Sequence, residues 1–252
     1  MEPARRAELA ARLRECGEQE MVELLESELE HLDGETVRLA LRNPHASKRV
    51  IDLILGERRL LLSHKVPKAL VQHPKTREAR ALNLVPALSW SDLVEVGGNT
   101  RIRQRVRLAA DRRLIERLPR LEIGERVAIA RKAGPGVIAP LLQDPDLRVV
   151  EALLENPRLT EALLVPFIHG DTVRPEILGR IASDRKWGSR YSIRDGIARN
   201  PKTPSGTALK LLAYLKKSDL RNVRADRGIA PEVRRRAGLL LGIDPQSEAH
   251  SI

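Results

Sequence analysis

Arginine offers the most chemistry in this sequence, and its spacing is the first lead. Arg101, Arg103, Arg105, Arg107, Arg112, Arg113, Arg117 and Arg120 stand against only Asp111 and Glu116. A second cluster holds Arg185, Lys186, Arg190, Arg194, Arg199 and Lys202, opposed by Asp195. A third holds Lys216, Lys217, Arg221, Arg224, Arg227, Arg234, Arg235 and Arg236, opposed by Asp219, Asp226 and Glu232. Guanidinium groups recurring along one surface track a phosphate or carboxylate backbone, because each presents a planar fork of donors. The candidate anion-binding residues are therefore Arg101, Arg103, Arg105, Arg107, Arg112, Arg113, Arg185, Arg190, Arg194, Arg199, Arg221, Arg224 and Arg227. The competing use of the same residues is an internal ladder of ion pairs between repeats.

Other chemistry finds little support. There is no phosphate-binding G-x-x-x-x-G-K-[ST], no G-x-G-x-x-G, no H-E-x-x-H and no G-x-S-x-G. His31, His45, His64, His73, His169 and His250 do not pair at metal-ligand spacing, and they read as surface or loop residues. Cys16 is the single cysteine, which precludes a disulfide within the chain and suits a reducing compartment. No cofactor and no catalysis are expected.

These arginines need a frame, and the composition limits what it is. The chain has 252 residues, 45 Lys+Arg against 34 Asp+Glu, a net charge of +11, and only 2% aromatic residues. A core of leucine, alanine, valine and isoleucine favours helices packed on helices over an all-β domain. The charge is uneven. Residues 1–36 hold eleven acids and four arginines, a net of −7, so the remainder carries +18. So basic a body suits an anionic macromolecule as partner, an acidic protein or nucleic acid. The first residues lack an apolar run, and elsewhere runs of Leu, Ile and Val reach only three, so a cytoplasmic location and no membrane span are expected.

Residues 3–32 read as helix broken near Gly17, with Met21, Leu25, Leu29 and Leu32 on one face and Asp33-Gly34 as a turn. After that the chain repeats: an apolar-patterned helix, a break, a second short helix. Breaks fall at Asn43-Pro44, His73-Pro74, Gly134-Pro135, Asn156-Pro157 and Asn200-Pro201, with Asp-Arg variants at Asp111-Arg112, Asp184-Arg185 and Asp226-Arg227. The mean step is about 26 residues, and a period in the twenties with paired helices means a solenoid. Asn before Pro is pushed out of the α region and ends its helix. Thr203 is expected to cap the next helix, with Pro204 at its first position. The short step from 185 to 201 makes Arg185–Gly188 a tight turn. The expected organisation is an acidic helical cap over 1–36, an array over 37–242 and a polar tail over 243–252.

Arg199-Asn200-Pro201-Lys202-Thr203-Pro204, followed by Leu209, Leu211 and Leu212, resembles the leucine-rich repeat variant family, bacterial α-solenoids similar in shape to HEAT arrays. The resemblance covers roughly residues 37–241 and implies an all-α, right-handed α-solenoid of degenerate HEAT-like or leucine-rich repeat variant repeats, used as a binding scaffold. The family's iron–sulfur centre is not implied, because Cys16 stands alone. A second stretch, Ser89-Trp90-Ser91-Asp92-Leu93-Val94-Glu95, resembles the Trp- and carboxylate-bearing segment of HEAT-like alkylpurine DNA glycosylases. That resemblance implies Glu95 in the place of the family's catalytic Asp and Ser91 in the place of an aromatic. From the residues alone, the stretch is a capped helix with Ser89 or Ser91 at the N-cap and Trp90 and Leu93 in the core.

Overall fold

The computed structural model describes residues 3–243, and among them every regular element is helical. The helices fall into two compact units, residues 1–121 and 122–252. The first contains α1 (Pro3–Glu15), α2 (Glu18–Glu28), α3 (Gly34–Ala40), α4 (Lys48–Gly56), α5 (Arg58–Leu61), α6 (Lys65–Gln72), α7 (Glu78–Leu84), α8 (Trp90–Gly98) and α9 (Gln104–Arg117). The second contains α10 (Ile123–Lys132), α11 (Pro135–Leu142), α12 (Leu147–Leu154), α13 (Glu161–Ile168), α14 (Pro175–Ser183), α15 (Tyr191–Arg199), α16 (Ser205–Leu212), α17 (Lys217–Ala225) and α18 (Pro231–Leu240). The fold is all-α and solenoid-like: helices pack on the next in sequence and on the next but one, as in α1 on α3, α2 on α4, α10 on α12 and α16 on α18. Most are shorter than the ~12–15 residues at which an isolated helix becomes marginal, so lateral packing holds them. Most bury an aliphatic stripe, for example Val66, Leu70 and Val71 on α6, or Val149, Val150, Leu153 and Leu154 on α12.

The acidic segment divides at Gly17, as its sequence suggests, and buries Leu13, Met21 and Leu25. Asp33-Gly34 begins an element: the Asp33 carboxylate accepts the Thr36 N–H at 2.8 Å and caps α3. Of the expected C-terminal tail, 244–252, with His250, lies outside the described residues.

Most of the breaks share one hydrogen-bond pattern; Gly134-Pro135, which has no side-chain acceptor, is an exception and opens α11 directly. Asn43 Oδ1 accepts the N–H of His45 at 2.8 Å, Asn156 Oδ1 that of Arg158 at 2.7 Å and Asn200 Oδ1 that of Lys202 at 2.8 Å. Asn99, Asp184 and Asp226 do the same for Arg101, Lys186 and Gly228. At His73, Nδ1 accepts the Lys75 N–H at 3.2 Å. These are Asx-type turns, in which a short side chain stands in for a backbone acceptor and lets the chain reverse. The Asn residues add a second function. Asn43 Nδ2 donates to Leu13 O and Cys16 O, and Asn156 Nδ2 to Ala130 O and Ala133 O, at 2.7–3.1 Å. Asn200 Nδ2 donates to Ile168 O. Each amide thus ties a turn to carbonyls some 23 to 32 residues earlier.

Two local expectations are corrected. Asp111-Arg112 is no break: it lies inside α9, and the break of that repeat is at Asn99. Thr203 caps nothing. Its hydroxyl donates back to Ile197 O at 2.6 Å, and the N-cap of α16 is Pro204. The turn after Asp184 is as expected, and it encloses Trp187, whose indole N–H donates to Leu154 O at 2.9 Å.

Candidate anion-binding surface

Basic residues near the breaks reach backwards more often than outwards. Lys75 Nζ donates to Pro44 O at 3.1 Å and Ala46 O at 2.8 Å; Arg103 Nη1 donates to Thr76 O at 3.0 Å. Arg117 grips Leu88 O and Pro86 O at 2.7 and 2.8 Å, and Arg158 Nη1 meets Lys132 O at 2.9 Å. Arg174 reaches Asp144 O and Pro145 O, and Lys202 reaches Asp171 O. Carbonyls past a helix C-terminus have no intrahelical partner and carry partial negative charge, so a cation satisfies both needs. A second ladder runs through carboxylates: Arg49–Glu26, Arg105–Glu78, Arg180–Glu151 and Arg190–Glu161 at 2.7–3.5 Å.

The first arginine cluster is largely absorbed by these ladders. Arg103 holds carbonyls, Arg105 pairs with Glu78, and Arg113 pairs with Glu116 at 3.0 Å. Arg107 lies beside the buried Asp111 and draws its carboxyl pKa down, against burial, which lifts it to about 6. Arg101, Arg112 and Arg120 are exposed, and their side chains have no hydrogen bond or ion pair among the described residues.

The second cluster is likewise occupied. Arg190 pairs with Glu161 and lies over the Trp187 ring at 5.0 Å; Arg199 sits 3.7 Å from Asp195. Arg194 Nε donates to Gly188 O at 2.6 Å, and its guanidinium lies 4.3 Å from the Tyr214 ring centre. Only Arg185 of the residues named there is exposed and unpaired among the described residues.

The third cluster differs. Its acids accept hydrogen bonds from neutral donors: Asp219 from the Tyr191 hydroxyl, Asp226 from the Gly228 N–H, Glu232 from the Ser205 hydroxyl at 2.6 Å, with Arg235 adding a weaker charge attraction to Glu232. Lys210, Lys217, Arg221, Arg227, Arg235 and Arg236 are exposed, and their side chains make no hydrogen bond or ion pair among the described residues. They sit on or beside α16, α17 and α18, which pack together. Arg224 does have a side-chain or backbone interaction of its own. Sequence charge locates this cluster, but Lys210, Lys217, Arg235 and Arg236 were not among the expected site residues, because a count of charges does not separate spare cations from occupied ones.

Five acids of the N-terminal segment form ion pairs nearby among the described residues. Glu28, Asp33 and Glu20 pair with Arg5, Arg6 and Arg12, and Glu26 with Arg49. Glu35 takes both Arg38 and Lys65, and those hydrogen bonds lower its carboxyl pKa to about 2. Glu35 also lines a pocket of about 660 Å³ with Arg38, Lys65, Lys68, Asp92 and Glu95. Glu95 lies 2.6 Å from Lys68 Nζ and accepts from Gln72 at 2.9 Å, contacts that hold its carboxyl below the usual range. Ser89, not Ser91, is the α8 N-cap, Leu93 is fully buried, and Trp90 is half-buried and does not line the pocket.

No family model matches the chain, and neither a curated protein nor a solved structure does.

Proposed function

We propose that this chain is a non-enzymatic helical-repeat scaffold whose C-terminal basic surface binds an anionic macromolecule, an acidic protein or nucleic acid. One observation carries this reading: five exposed cations on 210–236 lack an internal partner and a sixth, Arg235, has only the nearby Glu232, whereas most cations of the two earlier clusters are bound to carbonyls, carboxylates or rings. Unpaired like charges held close together repel, and a bound polyanion relieves that repulsion. The Arg199–Pro204 phrase and the recurring turns support placing the chain beside leucine-rich repeat variant and HEAT-like solenoids. In such arrays, side chains at equivalent repeat positions form extended binding surfaces.

The test is binding of a labelled oligonucleotide and of poly-glutamate at several salt concentrations. Six phosphate contacts give a log–log salt slope of roughly −4 on a single strand and −5 on a duplex. Charge reversal of Lys217, Arg221 and Arg235 together should weaken binding severely. Reversal of Arg103, Arg105 and Arg113 should instead cost stability with little effect on affinity. Equal affinity of the parent and the Lys217, Arg221, Arg235 variant sinks the assignment.

A base-excision enzyme is the second reading, favoured by the position of Glu95 in a pocket flanked by Arg38, Lys65 and Lys68. It requires Glu95 to be released from Lys68. Release of free base from alkylated DNA, abolished in Glu95→Gln, would establish it.

A further inference from the structure

Five aromatic residues serve the whole chain, and three of them lie between 187 and 214. All four cation–ring contacts among the described residues involve these three. Trp187 is buried and anchors the turn after α14. Tyr191 and Tyr214 are not: they are 37% and 58% exposed, large rings left in water on a surface otherwise poor in aromatics.

Both rings are held in place. The Tyr191 hydroxyl donates to Asp219 and accepts the Lys216 N–H at 3.0 Å, and the Lys216 ammonium lies 4.9 Å from the ring centre. Tyr214 is backed by Arg194, which is itself fixed by Gly188 O. Gly188 is required for that arrangement, because a Cβ there would fall on the Ala182 carbonyl oxygen. Tyr191 and Arg194 stand one helical turn apart on α15; Tyr214 and Lys216 stand in the connection between α16 and α17. Arg194 ties Tyr214 to α15 and Lys216 ties Tyr191 to the α16–α17 connection, so both rings belong to one spot where these elements meet, with Lys217 next in the chain.

We propose that this spot is a base-stacking platform, and that the anion bound by the C-terminal surface is single-stranded nucleic acid. The proposal rests on the reading of that surface as anion-binding and narrows its partner. Three chemistries compete for a cationic surface. An acidic peptide uses the cations, but its carboxylates are repelled by the electron-rich faces of two exposed rings. A duplex offers phosphates but keeps its base faces stacked inside. A single strand offers both phosphates and open base faces, and an exposed ring with a cation behind it accepts a base on its other side. Stacking is tolerant of sequence, so the platform adds affinity without adding a preferred sequence.

The test uses the full chain and three labelled probes of equal phosphate number: a mixed-sequence single strand, an abasic strand and a duplex. The parent should bind the single strand about tenfold or more tightly than the abasic strand. Tyr214→Leu should cut that difference severalfold, Tyr191 remaining to stack, while leaving abasic-strand affinity and its salt slope unchanged. Tyr214→Phe, which keeps the ring, should retain it. Equal parental affinity for base-bearing and abasic strands overturns the platform but leaves the basic surface standing. So does a preference for the duplex or for poly-glutamate. Single-strand binding that is indifferent to Tyr214→Leu also overturns it, as does a Phe variant as weak as the Leu variant. Absence of binding to every polyanion at low salt overturns the underlying reading as well.

Discussion

Asp111 shows how one residue can mislead a sequence reading and then govern a packing contact. Asp111-Arg112 has the composition of the breaks at Asp184-Arg185 and Asp226-Arg227, yet it lies mid-helix. The neighbouring residues make the difference. Gly188 and Gly228 come soon after the true breaks, whereas Leu114 and Ile115 come soon after Asp111, and Val106, Ala110 and Leu114 keep an unbroken i, i+4 stripe. Within α9 the carboxyl is pressed against α8: a Cβ on Gly97 would land on Asp111 Oδ1. Gly97→Ala should therefore destabilise the protein by about 1–3 kcal/mol. Much of that loss should vanish in an Asp111→Ala background, a coupling that a double-mutant denaturation cycle reads directly. Burial raises the Asp111 pKa from 3.8 to about 6, partly offset by Arg107. The native state then holds the proton more tightly than the unfolded chain, so stability from this group falls as pH rises between those values. The loss amounts to up to about 3 kcal/mol and should be absent from the pH profile of Asp111→Asn.

At the scale of elements, the turns are tied to distant backbone as well as to the helices they separate. Asn156 is fully buried and satisfies two carbonyls and one N–H with a single amide group. Asn156→Ala should cost about 2–4 kcal/mol, because it strands several buried polar groups at once. Asp226 makes the same kind of turn in the open, and Asp226→Ala should cost about 1 kcal/mol or less. Urea midpoints of the two variants check the contrast. The helix ends were legible because Asn-Pro obeys local rules that need no knowledge of neighbours. The helix starts were less so. Thr203 sits where a cap belongs, but its hydroxyl is drawn to Ile197 O, a preference set by the turn before it.

For the whole molecule, the two compact units imply a particular response to truncation. A fragment of residues 122–252 keeps Leu154 O for Trp187, Ile168 O for Asn200 and Glu161 for Arg190. It should fold and melt cooperatively. A fragment of residues 186–252 lacks all three partners and should show far less helix per residue by circular dichroism. Repeat units stabilise one another mainly through such neighbour contacts, which is why the smaller piece fails. The candidate site was legible only as an excess of charge. Which cations are spare depends on carbonyl partners 26 to 31 residues earlier, and carbonyls carry no signature in a count of residue types.

The three asparagines that tie turns to earlier carbonyls, Asn43, Asn156 and Asn200, are each followed by proline. Spontaneous deamidation begins when the N–H of the following residue loses its proton and the nitrogen attacks the side-chain amide, closing a succinimide ring. Proline has no N–H to begin that attack. The residue that ends each helix therefore also closes the main route by which its neighbour would age into aspartate, and a carboxylate at those places would face the very carbonyls the amide now serves. Peptide mapping of protein held for weeks at mildly alkaline pH should find these three asparagines intact, and conversion concentrated at Asn99, which has threonine after it and, unlike Asn83 and Asn222, lies outside a helix.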